Sequence, residues 1–493
     1  MKGIMKLLIF ILPMLFIIGC GSDNGVTDNG VTDNNPQLLS AEITEKVSTI
    51  EEYEEKIWLQ DVQNYTISGT LGGYDTLADV PPELQDEIKS LWDVWEIVKL
   101  VWRSAGLADK AMPFIWIDFY KVKYKQENRN DSPILSGLMI KPRFVDITYV
   151  PPILVLTHPT ETLRKYSPSV TDPFFDGTMT KPFGLLFAIL GYAVVIPDYA
   201  GLGDNIQAHP YCLESLGKSA ATMVDAVRKI KGVSYDNSQT YVMGFSEGGY
   251  AALATAAYMR THPLNKYNLK RVSALSGPYD LSGAMRTLML NADRNYPAPY
   301  FLPYTINGYD AAYPEIGYLT FSQSVVANPT TDKAPFYRTL HSMLYGAFSG
   351  TQISNFIYTV EPDNPDHDPD KSSYYGPLSI ATTNFQKKLK ESGSALNAAL
   401  SANTLVRESW YPSPDIDFFF AHYKDDDCVP VGNTEAMQKV WSKYENVTFS
   451  IYDSTAPLSK SDVGSTHAAS ILQSYVRGMR FILGMPYNFE EAE

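Results

Sequence analysis

The sequence predicts an α/β fold: a mostly parallel sheet with helices on both faces and a cap inserted between two late strands. Three observations carry that expectation. Short apolar runs of strand character recur along the chain with helical stretches between them, the pattern of a parallel sheet covered on both sides. One run, Tyr241 to Met243, leads into Gly244-Phe245-Ser246-Glu247-Gly248 and then into the small residues Gly249, Ala251, Ala252, Ala254, Ala256 and Ala257. This reads as strand, sharp turn and helix with a serine at the turn, the G-x-S-x-G pattern of a nucleophile elbow. The third observation is the gap between Leu275 and Asp417, too long for a single connection.

In chain order, Met1 to Lys6 carries two lysines and Leu7 to Ile18 is apolar. That stretch is short for a membrane span but has the length of a signal-peptide core. It ends in Ile17-Ile18-Gly19-Cys20, which looks like a bacterial lipobox. Residues 1–19 are therefore expected to be a lipoprotein signal peptide, with Cys20 as the lipidated N-terminus and membrane anchor. Gly21 stands where an aspartate would favour inner-membrane retention, so the expected location is the cell envelope at the outer membrane. Residues 20–37 contain Asp-Asn-Gly-Val-Thr twice in succession, with no apolar face, and are expected to be a flexible tether. Residues 38–112 are expected to be a helical extension. Leu84, Ile88, Leu91, Trp95, Val98 and Trp102 recur at steps of three and four, the stripe of an amphipathic helix packed on the main domain.

Strand signals begin at Phe114. Phe114 to Lys125 and Ile134 to Lys141 flank the polar turn at 126–131 and predict an antiparallel hairpin at a sheet edge. Further strands are expected at Ile153 to Thr157, Tyr192 to Ile196, Tyr241 to Phe245, Val272 to Leu275, Asp417 to Ala421 and Val447 to Tyr452. Helices are expected at Leu213 to Lys231, Gly249 to Arg260, Thr434 to Tyr444 and His467 to Gly484. The core thus divides into residues 113–279 and 411–493, separated by a cap at 280–410. The cap is aromatic-rich and proline-punctuated, with helices expected around Phe336 to Ala347 and Ile380 to Leu400.

Composition bounds the function. A chain of 493 residues, 45% hydrophobic and 13% aromatic, buries a large core. A formal net charge of −15 argues against nucleic-acid binding through a basic face. The three cysteines, Cys20, Cys212 and Cys428, lack metal-site spacing; Cys212 and Cys428 read either as a disulfide at one rim or, the reading preferred, as two free buried thiols. Asp363, Asp366, Asp368 and Asp370 lie in a proline-broken loop without an EF-hand glycine or closing glutamate, so a solvated loop is expected and no metal or cofactor.

From about Phe114 to the C-terminus the chain resembles the secreted lipase and carboxylesterase branch of the α/β-hydrolase superfamily. The stretches that carry the resemblance are Gly191-Tyr192-Ala193-Val194-Val195-Ile196-Pro197-Asp198-Tyr199-Ala200-Gly201-Leu202-Gly203 and Gly244-Phe245-Ser246-Glu247-Gly248-Gly249-Tyr250-Ala251. The resemblance implies a Ser, Asp, His order of catalytic residues. Of seven histidines, only His467 combines a late position with a loop before a final helix, which makes it the expected base. The turn His422-Tyr423-Lys424-Asp425-Asp426-Asp427-Cys428-Val429-Pro430 is similar to the family's D-x-x-V-P acid turn and selects Asp426. His422 is expected to be structural. The oxyanion donors implied are the backbone N–H groups of Glu247 and of Thr160, since Pro159 has none. The expected function is hydrolysis of a small-molecule carboxylic ester through Ser246, His467 and Asp426, without a cofactor. A cap-domain aminopeptidase and a non-catalytic surface binding protein on the same fold are the alternatives.

Overall fold

Uninterrupted apolar runs decide the centre of the sheet. In the computed structural model, residues 37–47, 115–127, 131–144, 151–170, 180–230, 239–261, 267–291, 296–314, 316, 334–359, 381–407, 413–454 and 465–486 are described. The first three strands are Gln37–Val47 (β1), Ile115–Lys125 (β2) and Ile134–Phe144 (β3). Ile153–Thr157 (β4), Ala193–Pro197 (β5) and Thr240–Phe245 (β6) follow, each buried along its whole length. Leu269–Leu275 (β7), Asp417–Tyr423 (β8) and Val447–Tyr452 (β9) complete a sheet ordered β1-β2-β3-β5-β4-β6-β7-β8-β9. Strands β4 to β9 pair in parallel and β1 to β3 antiparallel.

Strand β1 corrects the expectation of a helical extension over 38–112, at least for its first residues. It pairs with β2 from Gln37 opposite Lys125 to Val47 opposite Ile117, so the β2–β3 hairpin is not the edge of the sheet. The reason is a period of two in Leu39-Ser40-Ala41-Glu42-Ile43-Thr44, which suits a pleated edge and not a helix. The signal segment, Cys20, the tether up to residue 36, the helix expected at 81–103 and the acidic loop at 363–370 all lie outside the described residues, while Gln37, expected to end the tether, opens β1.

The core helices before the cap are Thr180–Ile189 (α1), Leu213–Val227 (α2) and Glu247–Thr261 (α3). Within the cap come a π-helical turn at Leu281–Met285, then Arg286–Leu290 (α4), Phe301–Ala312 (α5), Ala334–Met343 (α6), Gly350–Thr359 (α7), Thr383–Lys390 (α8) and Ala395–Ala402 (α9). Gly432–Trp441 (α10), Thr466–Ala469 (α11) and Ile471–Leu483 (α12) close the chain. The single helix expected over Ile380 to Leu400 is two, because the Ser394 side chain caps α9 by accepting from Asn397 N–H at 3.2 Å. Among the described residues no helix is long and apolar enough to cross a membrane.

Strand alternation sorts the core into two layers. Leu154, Leu156, Met243 and Phe245 face α1 and α12, whereas Ile153, Val155 and Val242 face α2 and α3. The second layer continues into the cap through Leu302, Ile306 and Tyr309 of α5. The C-terminal ends of β4, β6 and β8 and the loop before α11 therefore converge beneath the cap, the usual location of a site in an open parallel sheet.

Candidate active site

Ser246 stands between β6 and α3 with φ at +60°, a left-handed conformation that a residue with a Cβ adopts at a cost of about 1–3 kcal/mol. The surroundings hold it there. Its N–H donates to Leu275 O at 2.9 Å, and Tyr250 N–H donates back to Ser246 O at 3.0 Å. A Cβ on Gly248 would stand 2.2 Å from Thr157 O, and one on Gly244 would stand 2.1 Å from Thr157 Oγ1. Only glycines admit the end of β4 this close. The Thr157 hydroxyl uses the space, lying 2.7 Å from Gly248 O and 3.0 Å from Met243 O, so it ties both sides of the turn to β4.

The structure brings Ser246, His467 and Asp426 together from three elements 221 and 41 residues apart in sequence. Ser246 Oγ is 2.8 Å from His467 Nε2, and His467 Nδ1 is 2.6 Å from Asp426 Oδ2. His467 sits in α11, whose N-terminus is capped by Ser465, and its ring stacks on Phe245 with centroids 4.8 Å apart. The residue before the serine thus supports the face of the imidazole. All three polar groups are nearly buried, at 5% exposure for Ser246, 6% for His467 and 3% for Asp426.

Asp426 is anchored on its other side. Its Oδ1 accepts the N–H groups of Cys428 at 3.1 Å and Val429 at 2.7 Å. Burial alone would push its pKa up. The facing His467 imidazole and the hydrogen bonds from His422 and His467 overcome that and hold the carboxyl well below the usual carboxylate range. His422 is wholly buried at the end of β8, with Nδ1 2.7 Å from Thr434 Oγ1, Nε2 2.8 Å from Val429 O and 3.4 Å from Asp426 Oδ2. It braces the acid turn and does not reach Ser246. Asp425 accepts from Ser454 Oγ, and Asp427 Oδ1 accepts from Ser465 Oγ at 2.6 Å and from the backbone N–H of His467 at 3.4 Å, so neither carboxylate takes the place of Asp426 at the His467 ring.

Glu247 opens α3, where the helix dipole adds positive potential. Thr160 lies half-buried on the loop after β4. The backbone N–H of each makes no hydrogen bond among the described residues. What the sequence reading missed is the Glu247 side chain. It is 1% exposed and its Oε1 lies 2.5 Å from Nε2 of His209, a histidine set aside because it precedes the late strands. No sequence signal pairs them, since they are 38 residues apart and meet only through the fold. Also unforeseen is the role of Asp198, whose buried carboxylate accepts from Ser136 Oγ at 2.5 Å, Ser169 N at 2.8 Å and Ser169 Oγ at 2.5 Å, and so fixes the loop leading to His209.

No family model and no curated protein matches the sequence. Solved structures do match. A ligand-bound form of the rice cell wall degrading esterase LipA from Xanthomonas oryzae aligns at TM-score 0.60 and 18% identity, over 90% of this chain and 97% of that one. A Legionella pneumophila protein that carries only the general name of hydrolase aligns at TM-score 0.58 and 18% identity, over 93% and 100%. Combined with the strand order and the parallel run from β4 to β9, these alignments decide the architecture. The chain has the α/β-hydrolase fold. A third solved structure, that of Candida antarctica lipase A, aligns at TM-score 0.50 and 17% identity over 68% of this chain and 72% of that one. Identities this low speak for the fold and not for a shared activity. Cys212 and Cys428 are free and buried. Among the described residues no group of three or more His, Cys, Asp and Glu side chains is arranged to hold a metal ion.

Proposed function

We propose that this chain is a serine hydrolase that cleaves carboxylic esters by two-step acyl transfer. The observation that carries the reading is the hydrogen-bonded line from Ser246 Oγ through His467 to Asp426, at 2.8 Å and 2.6 Å. A serine hydroxyl is a weak nucleophile until a base takes its proton, and the base works when an acid holds its tautomer and orientation. Ser246 Oγ attacks the ester carbonyl as His467 Nε2 takes the proton. Asp426 holds Nδ1–H and stabilises the imidazolium. The oxyanion falls to the backbone N–H groups of Glu247 and Thr160. Collapse expels the alcohol, which receives its proton from His467, and water then repeats the sequence on the acyl-enzyme. LipA of Xanthomonas oryzae, an esterase with the same fold, supports the ester class.

The test compares p-nitrophenyl esters of graded chain length with aminoacyl amides. Ester turnover that disappears in Ser246→Ala, with the variant still folded by circular dichroism, is the expected result. Faster cleavage of the amides would replace this reading with a peptidase, and no turnover of either class would favour a binding protein.

We further propose that Cys20 carries a lipid that anchors the protein at the outer membrane of a bacterial envelope. The apolar stretch ending at Ile17-Ile18-Gly19-Cys20 supports this. Labelled palmitate is expected to enter the wild-type chain and not Cys20→Ala; equal labelling of both would overturn the anchor.

A further inference from the structure

The cap reaches the back of the elbow through one tyrosine. Tyr304 of α5 is 3% exposed, and its ring stacks on the His209 imidazole with centroids 5.5 Å apart and planes 16° from parallel. His209 Nδ1 lies 2.7 Å from Ala200 O, and a carbonyl oxygen only accepts, so Nδ1 carries a proton. Nε2 then shares a second proton with Glu247 Oε1 at 2.5 Å, between side chains 2% and 1% exposed. Glu247 directly follows Ser246, so fixing its side chain fixes the first peptide of α3, whose N–H is assigned above to the oxyanion. The same Tyr304 acts on the opposite arm. Its hydroxyl donates to Glu161 O at 3.0 Å, one residue after Thr160. The cap helix is seated tightly, since a Cβ on Gly308 of α5 would stand 2.2 Å from His209 O.

Desolvating an ionised histidine and a carboxylate confers little stability beyond that of an apolar pair of the same volume. The geometry supplies a different role. We infer that Tyr304, His209 and the Glu247 side chain are positioning residues that set the two oxyanion donors, so that transition-state stabilisation depends on the docking of cap helix α5. None of the three side chains is assigned contact with substrate. The inference rests on the ester-hydrolase reading, because it concerns the oxyanion of that reaction.

The experiment uses the full chain, p-nitrophenyl butyrate as substrate and a trifluoromethyl ketone as a probe that forms a tetrahedral oxyanion on Ser246. Tyr304→Phe keeps the stacked ring and removes only the hydroxyl bound to Glu161. His209→Gln removes the imidazole that Glu247 grips. A misplacement of about 1 Å costs on the order of 10²-fold in rate, so kcat is expected to fall about 10- to 100-fold in each variant, with KM within about twofold. Affinity for the ketone is expected to fall in parallel with kcat/KM across the set, which a general loosening of the fold would not produce. If His209→Gln does not fold, Tyr304→Phe still decides. Wild-type kcat and ketone affinity in Tyr304→Phe would overturn the inference, as would a rise in KM alone or a fall in kcat with ketone affinity intact. A wild-type protein that neither hydrolyses esters nor binds the ketone would instead overturn the ester reading, and the inference with it.

Discussion

Replacing Asp426 by asparagine keeps the volume and one hydrogen-bonding oxygen, and the structure fixes which one. Oδ1 accepts two backbone N–H groups, from Cys428 at 3.1 Å and Val429 at 2.7 Å. The amide oxygen must stay there, because an NH2 group facing two N–H donors would be a buried clash of like dipoles. The NH2 therefore turns toward His467, where Oδ2 now stands 2.6 Å from Nδ1. An NH2 donates, so Nδ1 must accept and the imidazole proton moves to Nε2, 2.8 Å from Ser246 Oγ. In that tautomer His467 cannot take the serine proton. The corresponding change in the serine-protease template lowers kcat by about 10⁴ with the geometry intact. At about 1.36 kcal/mol per decade this is roughly 5.4 kcal/mol of transition-state stabilisation. The assay is steady-state hydrolysis of p-nitrophenyl butyrate by Asp426→Asn beside Asp425→Asn, whose carboxylate accepts from Ser454 Oγ at 3.1 Å and is expected to matter little. An Asp426→Asn enzyme within tenfold of wild type would refute the tautomer argument and return the acid role to a neighbour.

The remaining expectations concern stability and the elbow. Gly248→Ala places a Cβ 2.2 Å from Thr157 O and 2.9 Å from His158 C, backbone atoms that cannot yield cheaply; a loss of about 1–3 kcal/mol in denaturant unfolding is expected, together with reduced kcat. Unchanged stability would mean that β4 and the elbow are less tightly apposed than described. Burial of His209 alone would push its pKa down, but the Glu247 charge and hydrogen bond and the Ala200 carbonyl raise it above the ordinary value. A raised histidine stabilises most fully below its unfolded pKa, about 6.5, and that contribution is lost as pH rises through the folded value. Thermal unfolding is expected to show this loss above about pH 6.5, and His209→Gln is expected to lack it. Asp426 works in the opposite sense. Its depressed pKa gives stability that is present above about 3.9 and lost as pH falls further, so Asp426→Asn is expected to flatten the acid limb of the stability profile.

Much of the fold could be read from the chain because the central strands are buried on both faces and leave continuous apolar runs. Ile153–Thr157, buried throughout, has the same bounds in sequence and structure, and so does the half-buried edge strand Val447–Tyr452, which alternation marks instead. Helix α1, between the hairpin region and β5, was not singled out; it is apolar nearly throughout, with Phe183, Leu185, Leu186 and Phe187 all buried, so it lacks the polar face that marks a helix in sequence. Strand β1 is hard to read in sequence for a different reason, since its alternation is short and it becomes a strand only by pairing with β2. At the site, Ser246 was legible because the elbow is a local motif of strand, glycines and helix. His467 and Asp426 followed from chain order and a turn pattern. The buried contact between His209 and Glu247 and the clamp around Asp198 were not legible, because they join residues tens of positions apart with no local pattern in either segment.

Ser246 is proposed as the activated nucleophile. Incubating the full chain with a fluorophosphonate and mapping the adduct by peptide mass spectrometry tests it most directly. The phosphorus reacts with a serine oxygen made nucleophilic by its base and loses fluoride, so one adduct per chain is expected on Ser246. It should be absent in Ser246→Ala and strongly slowed in His467→Ala, which removes the base 2.8 Å away. An unlabelled wild-type protein, or an adduct on another residue that persists in Ser246→Ala, would contradict the account.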